Sequence, residues 1–168
     1  MNRKQELNAF IKECITNSLI RLMEKNEFED ITITELVNDA GVSRASFYRN
    51  FESKKDILTQ HLRALMREWG EDFESHNDIT YFSESLLLHY YKNKDFYLLL
   101  YKHRMSDLVF ETIRWATKID ESSNHIERYT KSAVAGLLFG SVDEWMRQGM
   151  QETPEQIVAL TNNMSKNQ

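Results

Sequence analysis

Between Thr32 and Asp56 the chain carries three helix-start signals grouped about a single glycine, and that spacing leaves few folds open. Thr32-Ile33-Thr34-Glu35 has the form of a capping box. The threonine hydroxyl takes a free amide of the first turn, and the glutamate reaches back to the threonine amide. Ser43 stands where it can cap a helix beginning at Arg44. Ser53-Lys54-Lys55-Asp56 is a third cap, with an acid placed in the first turn to suit the helix dipole. Between the first two lies Ala40-Gly41-Val42. Gly41 supplies the positive φ needed to end one helix and turn at once into the next. The reading is a helix of about seven residues, a tight turn, a second helix of about seven, and then the start of a longer one.

The rest of the chain reads as helix too. One proline and five glycines in 168 residues interrupt little. Leu7, Phe10, Ile11, Cys14, Ile15, Ser18, Leu19 and Leu22 keep the i, i+3, i+4 rhythm of one buried face, which predicts a helix over 3–25. Ile57, Leu58, His61, Leu62, Leu65, Met66, Trp69 and Phe73 extend a second such pattern from Lys54 to Phe73, up to the polar stretch Ser75-His76-Asn77-Asp78. Further helices are predicted over 79–92, 94–103, 105–120, 122–150 and 154–165. Thr153-Pro154 forms the start of the last, a cap followed by proline at the first helical position. Residues 165–168 are expected to fray. The fold class is therefore all-α, with about nine helices. The division falls at the long helix: residues 1–54 form a three-helix N-terminal domain and 55–168 a larger helical domain.

The first domain has the makings of a DNA-reading unit. In a helix-turn-helix the second helix enters the major groove while the first crosses the backbone. In Arg44-Ala45-Ser46-Phe47-Tyr48-Arg49-Asn50, Phe47 lies four residues before Phe51, so both face the core. Arg44, Ala45, Ser46, Tyr48, Arg49 and Asn50 are left for solvent or DNA. Small Ala45 and Ser46 allow close approach to the groove. Arginine suits guanine edges and phosphates, and asparagine reads adenine. Lys54 opens the next helix, where its ammonium and the free amides suit a phosphate, and Tyr48 offers a hydroxyl for another. The net charge of −5 does not oppose this, because local charge decides phosphate affinity. Within 41–55 stand Arg44, Arg49, Lys54 and Lys55 against Glu52 alone.

The runs Phe28-Glu29-Asp30-Ile31-Thr32-Ile33-Thr34-Glu35-Leu36, Ala40 to Phe51 and Ser53-Lys54-Lys55-Asp56-Ile57-Leu58 resemble the signature of the TetR family of bacterial regulators. The likeness covers about residues 5–60, with one long helix before the motif as in that family. It implies that Thr34, Ser43, Arg44, Ala45, Ser46, Tyr48, Arg49 and Lys54 fall where family members touch DNA. Ala45 stands where glycine is common and Ser46 where threonine is common. Lys55 replaces the usual acid and adds positive charge.

The second domain is rich in aromatic residues, which pack a core or line a cavity between helices. The resemblance implies a pocket for a small apolar or aromatic ligand. Tyr90, Tyr97, Tyr101, Met105 and Trp115 are expected to line it. Ala133, Gly136 and Gly140, among Tyr129, Val134 and Leu137, let two helices approach closely, in the core or across a dimer. The resemblance favours a homodimer through this segment, and with it an inverted-repeat operator on double-stranded DNA.

No enzyme is expected. The five histidines show no His-x-x-x-His pairing, the single Cys14 denies a thiolate zinc site, and no glycine-rich phosphate loop occurs. No cofactor or metal is expected. A lone cysteine among apolar residues reads as a small buried hydrophobe and fits a reducing compartment. No run reaches about 18 apolar residues, so no membrane span is expected. The polar N-terminus lacks the apolar core of a secretion signal, so the expected location is the cytoplasm. The functional expectation is a repressor released by a small molecule. The alternatives are an activator, or a regulator controlled by a protein partner.

Overall fold

The computed structural model describes residues 3–76, 81–121 and 124–159. Among them the regular structure is helical throughout: α1 (Arg3–Lys25), α2 (Ile33–Asp39), α3 (Arg44–Asn50), α4 (Lys54–His76), α5 (Phe82–Lys92), α6 (Lys94–Lys102), α7 (Ser106–Ala116), a 3-10 turn at Ile119–Glu121, α8 (His125–Arg147) and α9 over 154–159. No helix among the described residues is long and apolar enough to cross a membrane. The expectations for Asn77, Asp78 and the segment beyond residue 159 lie outside the described residues.

The chain divides into two compact units, residues 1–62 and 63–168. The division lies eight residues beyond the one expected at 54, and packing explains why. Ile57, Leu58 and Leu62 on the first turns of α4 are fully buried and complete the core of the first unit. That core joins them to Ile15, Leu19 and Met23 of α1, Leu36 and Val37 of α2, and Phe47 of α3, with Phe28, Ile31 and Phe51 closing it from the connections.

In the second unit the buried side chains come from every helix. They include Leu86 and Tyr90 of α5, Phe96, Tyr97 and Leu100 of α6, Leu108, Val109 and Ile113 of α7, and Ala135, Val142, Trp145 and Met146 of α8. The Tyr101 hydroxyl donates to Asp143 Oδ1 at 2.6 Å, and Arg147 Nε donates to Asp143 Oδ2 at 2.7 Å, tying α6 to α8. Two elements are shorter than the pattern suggests. The predicted helix over 105–120 ends at Ala116, because Lys118 turns left-handed (φ 53°) and starts the 3-10 turn. Of the predicted helix over 122–150, residues 122 and 123 lie outside the described residues; α8 runs His125–Arg147, capped by Asn124, whose side chain accepts from the Glu127 amide at 2.8 Å. Beyond it Gly149 (φ 80°) and Met150 (φ 51°) both lie in the left-handed region. Thr153 caps α9 as the sequence suggests: its hydroxyl accepts from the Gln156 amide, and its own amide donates to Gln156 Oε1 at 2.8 Å.

Candidate nucleic-acid interface

The interface is built by the caps. Thr32 Oγ1 accepts from the Glu35 amide at 3.1 Å, and the Thr32 amide donates to Glu35 Oε2 at 3.0 Å. The donated amide, and then the threonine hydroxyl, hold the Glu35 carboxyl below its ordinary pKa. At the far end of α2, Gly41 adopts φ +65°, and the Val42 amide donates to the Val37 carbonyl at 3.0 Å. This is the left-handed exit that a helix uses when the chain must turn at once. Ser43 then caps α3, its Oγ accepting from the Ser46 amide at 3.1 Å. The third cap also forms, with Ser53 Oγ accepting from the Asp56 amide at 3.1 Å.

The rest of the unit holds this pair of short helices in place. Asp39 at the end of α2 accepts from Ser18 Oγ at 2.5 Å and from Arg21 at 2.7 Å, which pins α2 to α1. Those donors, the serine foremost, lower the Asp39 pKa. At the end of α3, Gln60 Nε2 donates to the Asn50 carbonyl at 3.2 Å, and Gln60 Oε1 accepts from Lys12 Nζ at 2.9 Å. One α4 side chain thus links α3 to α1.

On α3 itself the two faces separate. Phe47 is fully buried, and its ring meets Phe51 with centroids 6.2 Å apart. Ser43, Arg44, Ala45, Tyr48 and Arg49 are exposed, and Ser46 and Asn50 are half-buried. Tyr48 keeps 52% of its surface open. The Arg44 guanidinium lies 5.7 Å from the Tyr48 ring centroid and 3.4 Å from its hydroxyl, so the two form an exposed basic–aromatic pair. Thr34 on α2 is exposed. Asn50 Nδ2 donates to the Ser46 carbonyl at 2.8 Å, so its amide is engaged within its own helix.

Lys54 is placed differently from the expectation. Its ammonium donates to the carbonyls of Phe28 and Ile31 at 2.5 Å each and of Glu29 at 3.3 Å, and lies 4.6 Å from the Phe28 ring centroid. Three N–H donors meet three acceptors. The lysine binds the loop between α1 and α2 to the start of α4, and no proton is turned outward for a phosphate. Nothing in the local sequence signals this, because the acceptors lie more than twenty residues upstream.

The residues expected to line a pocket scatter. Tyr90 lines a cavity of about 230 Å³ that Met66, Trp69, Leu86 and Leu138 help to wall. Tyr101 borders an open recess with Lys102 and Arg147. Tyr97 is buried with its hydroxyl 2.9 Å from His89 Nε2, and Met105 is buried. Neither lines a described cavity. Trp115 is 37% exposed, with the Arg63 and Arg67 guanidinium carbons 5.3 and 5.9 Å from its ring, so it sits at the surface. A more polar pocket of about 310 Å³, lined by Glu68, Asp72, Ser85, His89 and Lys92 among others, went unanticipated. By contrast Tyr129, Ala133, Gly136, Leu137 and Gly140 are all exposed along α8, Tyr129 at 74% and Leu137 at 72%.

Comparison with known proteins identifies the family and the fold. Residues 15–60 match the family model described as bacterial regulatory proteins of the tetR family, and residues 77–167 match one described as a transcriptional regulator C-terminal region. The fold is similar to the crystal structure of Lin0861 from Listeria innocua, with a TM-score of 0.78 at 18% identity, covering 99% of this chain and 94% of that one. No curated protein matches in sequence. A capped helix-turn-helix ahead of a second helical unit, matched by family models across both parts, makes this chain a member of the TetR family of transcriptional regulators.

Proposed function

We propose that the protein is a homodimeric transcriptional repressor that reads an inverted-repeat operator and is released by a small apolar or aromatic molecule bound in its second unit. The observation that carries this reading is the split of α3: Phe47 anchors one face in the core while Arg44, Ala45, Tyr48 and Arg49 are exposed on the other. A short helix held this way, with two guanidiniums and no carboxylate among its residues, is suited to the major groove. Thr34, Ser43 and Ser46 supply hydroxyls for phosphates, which set register on the duplex. Asn50 reads a base only if its amide leaves the Ser46 carbonyl. Lys54 contributes by holding the loop before α2.

The exposed stripe on α8 supports dimerisation. Tyr129, Ala133, Leu137 and Gly140 follow one helical face, and large exposed apolar side chains beside small residues suit a close helix–helix seam. Release works through α4, a single helix whose Ile57, Leu58 and Leu62 are core residues of the first unit and whose Met66 and Trp69 line a cavity in the second. A ligand that shifts this helix opposes DNA binding by linkage. Selection from a random duplex library tests the proposal. The expected product is an inverted repeat whose half-sites lie about 10 base pairs apart or a multiple of that. Enrichment of no sequence, or of an isolated half-site, contradicts it. A reporter with the selected site placed across a promoter then gives the sign, repression being expected.

A further inference from the structure

The seven residues of α3 are too few to hold a direction by themselves, so its bearing is set by what grips it. Before its start the Val42 amide donates to the Val37 carbonyl at 3.0 Å, and midway the Phe47 ring is fully buried. The last turn of a helix leaves carbonyls without partners inside the helix. One of these, on Asn50, accepts from Gln60 Nε2 of α4 at 3.2 Å.

The surroundings fix the Gln60 amide in one orientation. Nε2 also donates to Asp56 Oδ2 at 3.0 Å, and Oε1 accepts from Lys12 Nζ at 2.9 Å. Flipped, the amide would turn its oxygen towards a carbonyl and a carboxylate and its N–H groups towards an ammonium. Asp56 Oδ2 also accepts from the Glu52 amide at 3.0 Å, so the same cluster holds the connection between α3 and α4. Lys12 Nζ lies 5.6 Å from the ring centroid of Phe51, the residue that ends α3.

This grip matters because α3 is a short lever. Arg44 stands three residues before Phe47, about 4.5 Å along a helix axis. A tilt of about 10° about Phe47 moves Arg44 by about 0.8 Å. Hydrogen bonds to base edges weaken with such misalignment.

We propose that Gln60 is a positioning residue for base recognition: by holding the Asn50 carbonyl it fixes the tilt at which α3 meets the major groove, and so sets how strongly the operator is preferred over other DNA. The assignment rests on the DNA-reading function proposed above. It adds a specificity determinant that acts through the end of the helix and not by touching a base.

The test measures affinity of the full chain for the selected operator and for a scrambled duplex at fixed salt, in wild type, Gln60→Met, Gln60→Glu and Lys12→Met, each checked for helix content. Methionine keeps the length of the side chain and makes none of the three bonds. Glutamate can keep the tie to Lys12 but, ionised, has no proton for the Asn50 carbonyl. Both are expected to lower the operator-to-scrambled ratio about fivefold, the scale of one hydrogen bond. Lys12→Met spares the Nε2 bonds and is expected to leave the ratio within about twofold. Loss of folded protein weakens both duplexes alike and leaves the ratio unchanged, so the ratio reports positioning and not stability. A wild-type ratio in both Gln60 variants, or an equal fall in Lys12→Met, overturns the proposal. A wild-type protein that prefers no sequence defeats the DNA-reading function itself, before any variant is compared.

Discussion

Lys54 and His89 show how much a single side chain depends on what the chain brings to it. Lys54 opens α4 in a run that reads as a phosphate anchor, yet its ammonium is saturated by the Phe28, Glu29 and Ile31 carbonyls. Lys54→Met is therefore expected to destabilise the first unit by about 1–3 kcal/mol, the worth of hydrogen bonds from a charged donor. The slope of log affinity against log salt on DNA is expected to stay unchanged. A slope reduced by about one per lysine would instead mark a phosphate contact. His89 is buried beside Tyr97, and burial, with Lys92 nearby, lowers its pKa to about 4. The unfolded chain therefore binds this proton first as pH falls. Stability from this group is complete above about pH 6.5 and is lost towards pH 4, by at most about 3 kcal/mol. His89→Gln is expected to flatten that part of a stability–pH curve; an unchanged curve contradicts the assignment. Neither environment is visible locally, since periodicity places a residue on a face without saying which carbonyl or hydroxyl will meet it.

At the scale of elements the sequence is far more legible, because caps are local chemistry. Thr32, Ser43, Ser53 and Thr153 each cap the helix their spacing announces, and α1 keeps its expected bounds. Helix ends without glycine are harder to see. Arg104, Lys118 and Met150 take positive φ, a conformation that long side chains adopt only when packing requires it. For this reason α7 ends sooner than its apolar pattern suggests. Gly41 is the opposite case, its φ of +65° fitting the residue. No atom lies within 4 Å of a Cβ added there, so the cost of Gly41→Ala is conformational, about 1–2 kcal/mol. Thermal melts should show a drop of a few degrees; an unchanged midpoint would mean that the turn tolerates a side chain. On α8, Leu137→Glu and Tyr129→Glu remove apolar surface from an exposed face. Both variants are expected to keep their helix content and to sediment as monomers, whereas dimers of unchanged affinity would place the seam elsewhere. The scattering of the expected pocket residues follows from the same limit: helical spacing marks an aromatic as inward or outward, and cavities arise from three or four helices at once.

For the whole molecule, the proposed function rests on two copies of α3 presented together in a homodimer. A two-fold dimer with successive major grooves about 34–36 Å apart demands both the α8 seam and an intact first unit. Variants at α8 are thus expected to lose operator affinity without altering any residue of the reading helix. The central claim, that the exposed face of α3 reads base pairs, is tested most directly by comparing affinity for the selected operator with affinity for a scrambled duplex at fixed salt, in wild type and in Arg44→Ala and Arg49→Ala. At least one substitution is expected to cost about 1–3 kcal/mol on the operator and far less on the scrambled duplex, so that discrimination narrows. Variants that fold normally and keep the wild-type ratio at both positions would contradict it.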